Sequence, residues 1–317
     1  MEYRRMGRSG LVVSVLGYGA NNLGRRGTAS EDFAGAQAVI NTALDLGITY
    51  FDSANVYGKE PGLSEEILGR ALGSRRSEAV IASKFGIARA GEAEYQARGS
   101  RRYMIEALEE SLRRLGTDYI DLYYYHTPDP QTPLEETAEA LNTAVQQGKI
   151  RYWGISNLAG WQTATIAQYA AAGTLVATQN HYNLIDRRAE QEILPAAAHY
   201  GIGVVPYFPL AAGLLTGKYT DQSDPNGRLQ PGNPKLAAAD MEQLRRYQHW
   251  CAQRQYDQAQ VAIAWLTHRQ PVCSVIAGAT RPEQLIANAR AVDLVLSEAE
   301  LASLDEIFPP AQKVALF

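Results

Sequence analysis

Residues 119–155 read YIDLYYYHTPDPQTPLEETAEALNTAVQQGKIRYWGI. The run opens on an aromatic and branched block of strand length, 119–125. Thr132-Pro133-Leu134-Glu135 predicts a helix start of the capping-box kind, with proline at the first helical position, and Gly148 predicts the end of that helix. A second strand follows at 150–155. Strand, helix and strand in this order lay two strands parallel with a helix crossing between them.

The same rhythm extends in both directions. Further strands are expected at 15–18, 48–51, 79–83, 175–179, 202–206 and 273–277, eight in all with the two above. Phe33, Ala36, Ile40 and Ala43 mark a helix after a Ser30 cap and before Gly47. Ile105, Leu108, Leu112 and Leu115 mark another, closed by Gly116. Val261, Ile263, Ala264 and Leu266 lie in a third. Segments 2–5 and 11–14, flanking Gly7 and Gly10, predict a hairpin before the first of the eight strands. Eight strand–helix units point to an α/β fold, a (β/α)8 TIM barrel in one domain spanning 1–317. An open doubly wound sheet also alternates, but no G-x-G-x-x-G follows an early strand. Residues 207–236 break the rhythm: they carry Pro225, Gly227, Pro231, Gly232 and Pro234 and little periodicity. A long loop after the seventh strand should lie over the C-terminal mouth, where barrel enzymes keep their chemistry.

Composition narrows the partners. The net charge of -4 argues against nucleic acid, which favours a basic surface. Cys251 and Cys273 stand in no metal-like spacing and fit a reducing compartment. No apolar run is long enough to span a membrane, and the opening MEYRRMGRSG lacks an apolar signal core, so the expected location is the cytoplasm.

Polar residues fall at successive strand ends. Asp52 ends the second strand in ITYFDSANVYG, Lys84 the third in VIASKFG, and His126 the fourth in LYYYHTPD; Tyr57 follows Asp52 in the next loop. Singly, each has an ordinary structural explanation: a cap, a packed tyrosine, a solvated lysine, a hydrogen-bonded histidine. Together they converge on one barrel mouth. In these settings the four residues resemble the site of the aldo-keto reductases, and the resemblance implies carbonyl reduction, which builds negative charge on oxygen and needs a proton donor there. A phenol is a weak acid, and a neighbouring ammonium favours its phenolate, so Lys84 is expected to lower the pKa of Tyr57. Asp52 would keep Lys84 charged and His126 would polarise the carbonyl. One histidine and one aspartate do not suggest a metal.

With these residues, GLSEEILGRAL at 62–72, GISN at 154–157, TQNHYN at 178–183, PLAAGLLTGKY at 209–219 and VIAGATRPEQLIANARAV at 275–292, the chain resembles the aldo-keto reductases over essentially its whole length. The likeness is strongest to the bacterial branch near the potassium-channel β-subunits. The resemblance implies Asp52, Tyr57, Lys84 and His126 as a catalytic tetrad and NADP(H) as cofactor, with NAD(H) used less efficiently. It assigns Ser156, Asn157 and Gln179 to the nicotinamide carboxamide and Tyr207 to stacking on the ring. Gly19, Ala20, Leu210, Gly213, Lys218 and Gly278 fall along the cofactor. Thr280 is expected to cap the helix after the eighth strand, Arg281 to grip a phosphate, and Gln284 and Asn288 to meet the adenosine end. Asn21 and Asn22 depart from the family pattern near the cofactor. The expected partner is a small carbonyl compound, and self-association is possible. Two other functions stand beside the reductase: a cofactor-binding regulatory subunit with incidental turnover, and a lyase or isomerase using Lys84 as a Schiff base.

Overall fold

The computed structural model describes residues 1–88, 97–219, 229–230 and 232–310. Strands β1 (Tyr3–Arg5) and β2 (Val12–Ser14) pair antiparallel, as the expected hairpin. Its turn needs glycine at Gly7, where φ is +57° and a Cβ would stand 2.3 Å from the Gly201 carbonyl oxygen.

Eight parallel strands follow: β3 (Leu16–Gly19), β4 (Tyr50–Asp52), β5 (Val80–Phe85), β6 (Ile120–Tyr125), β7 (Ile150–Ser156), β8 (Leu175–His181), β9 (Gly203–Tyr207) and β10 (Val275–Gly278). Each pairs with the next from β3 to β9, and β10 pairs with β3. The ring closes at Val204, whose N–H donates to Pro271 O at 3.0 Å and whose carbonyl accepts from Cys273 N at 2.9 Å. The architecture is a (β/α)8 barrel. The described α-helices are α1 (Phe33–Asp45), α2 (Leu63–Leu72), α3 (Arg101–Leu115), α4 (Leu134–Gln146), α5 (Gly160–Ala167), α6 (Ile193–Tyr200), α7 (Pro234–Ala237), α8 (Met241–Gln253), α9 (Gln258–Thr267), α10 (Pro282–Ala289) and α11 (Glu298–Ile307).

Several helix boundaries differ from expectation. Asp32, not Ser30, caps α1 by accepting from Gly35 N, because the Ser30 hydroxyl donates to Asn22 O instead. The capping box at Thr132 does not form: Thr132 Oγ1 donates to Asp129, and α4 starts one residue later with Pro133 at the cap. On α3 the buried stripe includes Met104, while Ile105 is exposed. Residues 207–236 are not loop throughout. Ala211–Thr216 form a 3-10 turn, and Asn233 caps the short α7. Pro225, Gly227 and Pro231 lie outside the described residues.

Inside the barrel, Met6 and Val13 of the hairpin join Ala82, Leu122, Val205 and Ile276 in an apolar cluster that seals the N-terminal end. Tyr50 and Tyr124 sit in the same cluster, fully buried, with their hydroxyls 3.0 Å apart. Side chains alternate along a strand. Tyr50, Ala82, Tyr124 and Ala177 therefore share faces with Asp52, Lys84, His126 and Gln179, two residues further on and nearer the mouth.

Candidate active site

Asp52 is the last residue of β4, Lys84 lies near the end of β5, and His126 follows β6 directly. They are 3%, 0% and 6% exposed. Lys84 Nζ donates to Asp52 Oδ2 at 2.6 Å and to Ser53 O at 2.7 Å. A buried ammonium is costly unless paired, and here both a carboxylate and a carbonyl meet it. Burial alone would depress the Lys84 pKa; Asp52 and Tyr57 outweigh it and hold the pKa above its usual value, so the group is charged.

Tyr57 is carried by the loop between β4 and α2. Backbone bonds pin that loop: Asn55 N to Lys84 O at 3.2 Å, Tyr57 N to Ala54 O at 3.1 Å, and Ser64 N to Tyr57 O at 3.1 Å. Below it, Ser64 Oγ donates to Ala20 O at 2.8 Å and meets Ser53 Oγ at 3.0 Å. Glu65, wholly buried in the first turn of α2, accepts from Ser83 Oγ and from Arg114 Nε. Strand β5, helix α2 and helix α3 are thereby tied together beside Lys84.

The Tyr57 ring packs edge-on to His126, centroids 6.0 Å apart, and the Lys84 ammonium lies 5.0 Å from the Tyr57 ring centre. The lowered tyrosine pKa expected from the sequence is not what the structure gives. Burial pushes it up, Lys84 pulls it down and Asp52 pushes it up again; the balance is a raised pKa. Sequence reasoning weighed the ammonium without the desolvation that accompanies it. Tyr57 is therefore a phenol at neutral pH, carrying the proton a donor needs. Burial, with Lys84 second, drives the His126 pKa well below its usual range, so the ring is neutral. Its Nδ1 is buried with no partner among the described residues.

The residues expected along a cofactor fall around the same mouth. Ser156 ends β7 and is buried; Asn157 follows at a positive φ of 62°, its Nδ2 donating to His126 O at 2.9 Å. Gln179 Nε2 donates to Asp52 Oδ1 at 2.8 Å. Its amide nitrogen is thus committed to the protein, and Oε1 is the end that can accept from a carboxamide N–H. Tyr207 ends β9, and its hydroxyl donates to Asn157 Oδ1 at 2.7 Å. Leu210 precedes the 3-10 turn, Gly213 lies in it at φ +104°, and Lys218 is exposed just beyond.

Across the mouth, Gly19 and Gly278 are register partners with Ala20 beside them. A Cβ on Gly19 would stand 2.8 Å from Ile276 Cγ2, and one on Gly278 would stand 3.0 Å from Asn22 Nδ2. Glycine at both positions lets the strand ends pack closely against the Ile276 and Asn22 side chains where α10 begins. Thr280 does not cap α10: its N–H and Oγ1 both donate to Gln284 Oε1, at 2.9 and 3.1 Å, and Arg281 occupies the cap position with its side chain exposed. Asn288 is buried on α10. Among the described residues, four of the five non-glycine residues at positive φ, Asn157, Phe208, Ala211 and Ala212, follow β7 or β9 on this side. Backbone strain of this kind collects at binding and catalytic sites.

Sequence reasoning missed two features. One is the Tyr50–Tyr124 hydroxyl pair beneath Asp52. The other is His181, stacked on Tyr207 with centroids 5.4 Å apart and planes 8° apart. The signal was present in both cases, since each lies two residues from a chosen site residue on the same strand. Among the described residues no group of three or more His, Cys, Asp or Glu could hold a metal ion, and no helix is long and apolar enough to cross a membrane.

The sequence model of the aldo/keto reductase family matches residues 15–308. An L-glyceraldehyde 3-phosphate reductase of Escherichia coli (strain K12) is 38% identical, over 96% of this chain and 92% of its own length. An uncharacterized oxidoreductase of Bacillus subtilis (strain 168), YrpG, is 38% identical over 98% and 96%. A probable voltage-gated potassium channel subunit beta of Oryza sativa subsp. japonica is 36% identical over 93% and 92%.

Proposed function

This chain belongs to the aldo-keto reductase family of oxidoreductases, and on that premise we propose that it reduces aldehydes and ketones to alcohols with NADPH, Tyr57 giving the proton. One observation carries the reading: the buried Lys84 Nζ donates to Asp52 Oδ2 at 2.6 Å and lies 5.0 Å from the Tyr57 ring centre, with His126 packed edge-on to the same ring.

The bound nicotinamide supplies the hydride. The protein supplies position and proton. Ser156, Asn157 and Gln179 Oε1 would hold the carboxamide, Tyr207 would back the ring, and the Gly19 and Gly278 strand ends with Arg281 would take phosphate. His126 donates a hydrogen bond to the substrate oxygen. As charge builds there, Tyr57 passes its proton and becomes a phenolate. Lys84 does little for the phenol and much for the phenolate, so its contribution is realised mainly in the transition state. Asp52 keeps the ammonium charged and aimed. The same pairing makes Lys84 a poor nucleophile and disfavours Schiff-base chemistry.

Mixing the protein with NADPH and a reactive aldehyde such as 4-nitrobenzaldehyde tests this. Multiple-turnover cofactor oxidation with alcohol formation is expected, faster with NADPH than with NADH; L-glyceraldehyde 3-phosphate belongs in the same panel. The likeness to channel β-subunits supports a second reading, a cofactor-binding regulatory subunit. Tight NADPH binding with no turnover on any carbonyl would favour it.

A further inference from the structure

Tyr207 has one ring face already taken. His181 lies parallel to it, Phe208 meets it edge-on at 5.3 Å and 71°, and its hydroxyl is tied to Asn157. His181 and Tyr207 are register partners on β8 and β9, so the stack is set by the sheet itself.

The histidine is fixed in turn. Its Nδ1 is 3.0 Å from Asp186 Oδ2, and its Nε2 is 3.2 Å from Asn183 Nδ2. Asn183 Oδ1 accepts from Ile185 N at 3.0 Å and Asp186 N at 2.9 Å, which settles the amide's orientation. Its nitrogen can then only donate, to His181 Nε2 and to Phe208 O at 3.0 Å. Asp186 can only accept, so the histidine proton sits on Nδ1. Arg188 holds the far side of Asp186, Nη2 to Oδ2 at 2.6 Å and Nε to Oδ1 at 2.8 Å. Both ring nitrogens are satisfied in the plane of the imidazole, and one of its faces lies against Tyr207. Such a relay fixes a ring's angle without charging it.

We infer that His181, oriented by Asp186 and Asn183, is a positioning residue: it backs Tyr207 so that the open tyrosine face meets a flat heteroaromatic ring at one set angle. The inference rests on the reading that Tyr207 stacks on the nicotinamide. It adds a third ring to that stack and gives the site's pitch to residues that touch neither cofactor nor substrate. A parallel aromatic neighbour contributes modestly beyond its area, so the effect is in alignment and affinity rather than in proton transfer.

The test compares His181→Phe, which keeps a flat ring, with His181→Leu, which keeps apolar bulk without one. NADPH affinity is read by fluorescence titration, and the face of hydride transfer with cofactor deuterated at one C4 position. His181→Phe is expected to bind NADPH within about twofold of wild type. His181→Leu should bind about 3- to 10-fold more weakly, the scale of one lost aromatic pair, and transfer detectable label from the wrong face. Equal affinity for the two variants would overturn the inference, as would strict stereospecificity in His181→Leu. Tyr207→Ala separates this failure from that of the parent reading. If it leaves NADPH affinity unchanged, Tyr207 does not stack on the ring. If it weakens binding while His181→Leu does not, only the backing role falls.

Discussion

Ala82 and Lys84, Tyr50 and Asp52, and Ala177 and Gln179 each stand two positions apart, yet the first of each pair belongs to the barrel's sealed interior and the second to its mouth. The interior is apolar from the hairpin upward and closes with the Tyr50–Tyr124 pair, whose hydroxyls answer each other. The mouth buries an ion pair and a neutral histidine, with strained residues along its rim. Packing of the floor stabilises the fold roughly in proportion to area. A buried ion pair is weak support for stability and is kept where its charge does something. One strand therefore serves two ends, and the alternation of side chains assigns which residue answers to which.

The sharpest way to break this division is Tyr57→Phe. Carbonyl reduction should fall by roughly 10²–10⁴-fold, the usual scale for a general acid, with NADPH affinity and unfolding midpoint close to wild type. Retention of half the wild-type rate under conditions where chemistry limits turnover would remove Tyr57 from the mechanism. The mirror experiment is on the floor. Leu122→Ala should cost about 2–5 kcal/mol in denaturant unfolding, while kcat of the folded fraction stays near wild type. A loss of kcat without loss of stability would show that the two ends are not separable.

Lys84→Met sharpens the electrostatics. Lys84 pulls the Tyr57 pKa down against burial and Asp52, so its removal leaves only effects that raise it. Alcohol oxidation, which needs the phenolate as base, should be lost more severely than reduction, and its rise with pH should move to higher pH. An unchanged pH–rate curve in the oxidation direction would show that Lys84 does not tune Tyr57. The smallest effect is expected at Arg281, exposed at the start of α10. Arg281→Ala should lower kcat/KM for NADPH about tenfold and leave NADH nearly unchanged, the low end for an exposed charge-assisted bond. Equal loss with both cofactors would place Arg281 at the pyrophosphate or loop instead.

The strands were legible because aromatic and branched blocks between helical stripes admit few other readings. Asp52, Lys84 and His126 were legible because each punctuates such a block. Helix starts were less so. Ser30, Thr132 and Thr280 all look like caps, but each hydroxyl is drawn to a neighbour, Asn22 O, Asp129 or Gln284, that no local pattern announces. The bond from Gln179 to Asp52 spans 127 positions and exists only because the barrel closes. The direction of the Tyr57 pKa shift was misjudged for a related reason: the charge beside it can be read from spacing, whereas the loss of water around it is a property of the folded site.

The Tyr50–Tyr124 pair also bears on how this barrel can change. Each hydroxyl is out of reach of water, and burial holds both as phenols. Replacing Tyr124 by phenylalanine orphans the Tyr50 hydroxyl, at about 1–3 kcal/mol, whereas replacing both is closer to neutral; Tyr124 itself has Gln179 as a further partner. The two positions are thus epistatic: a drifting lineage or an engineer must move them together or pass through a weakened intermediate. Since Asp52 stands directly above, that valley in sequence space lies under the proposed catalytic residues, and a route that skirts it by a paired exchange would leave their arrangement intact.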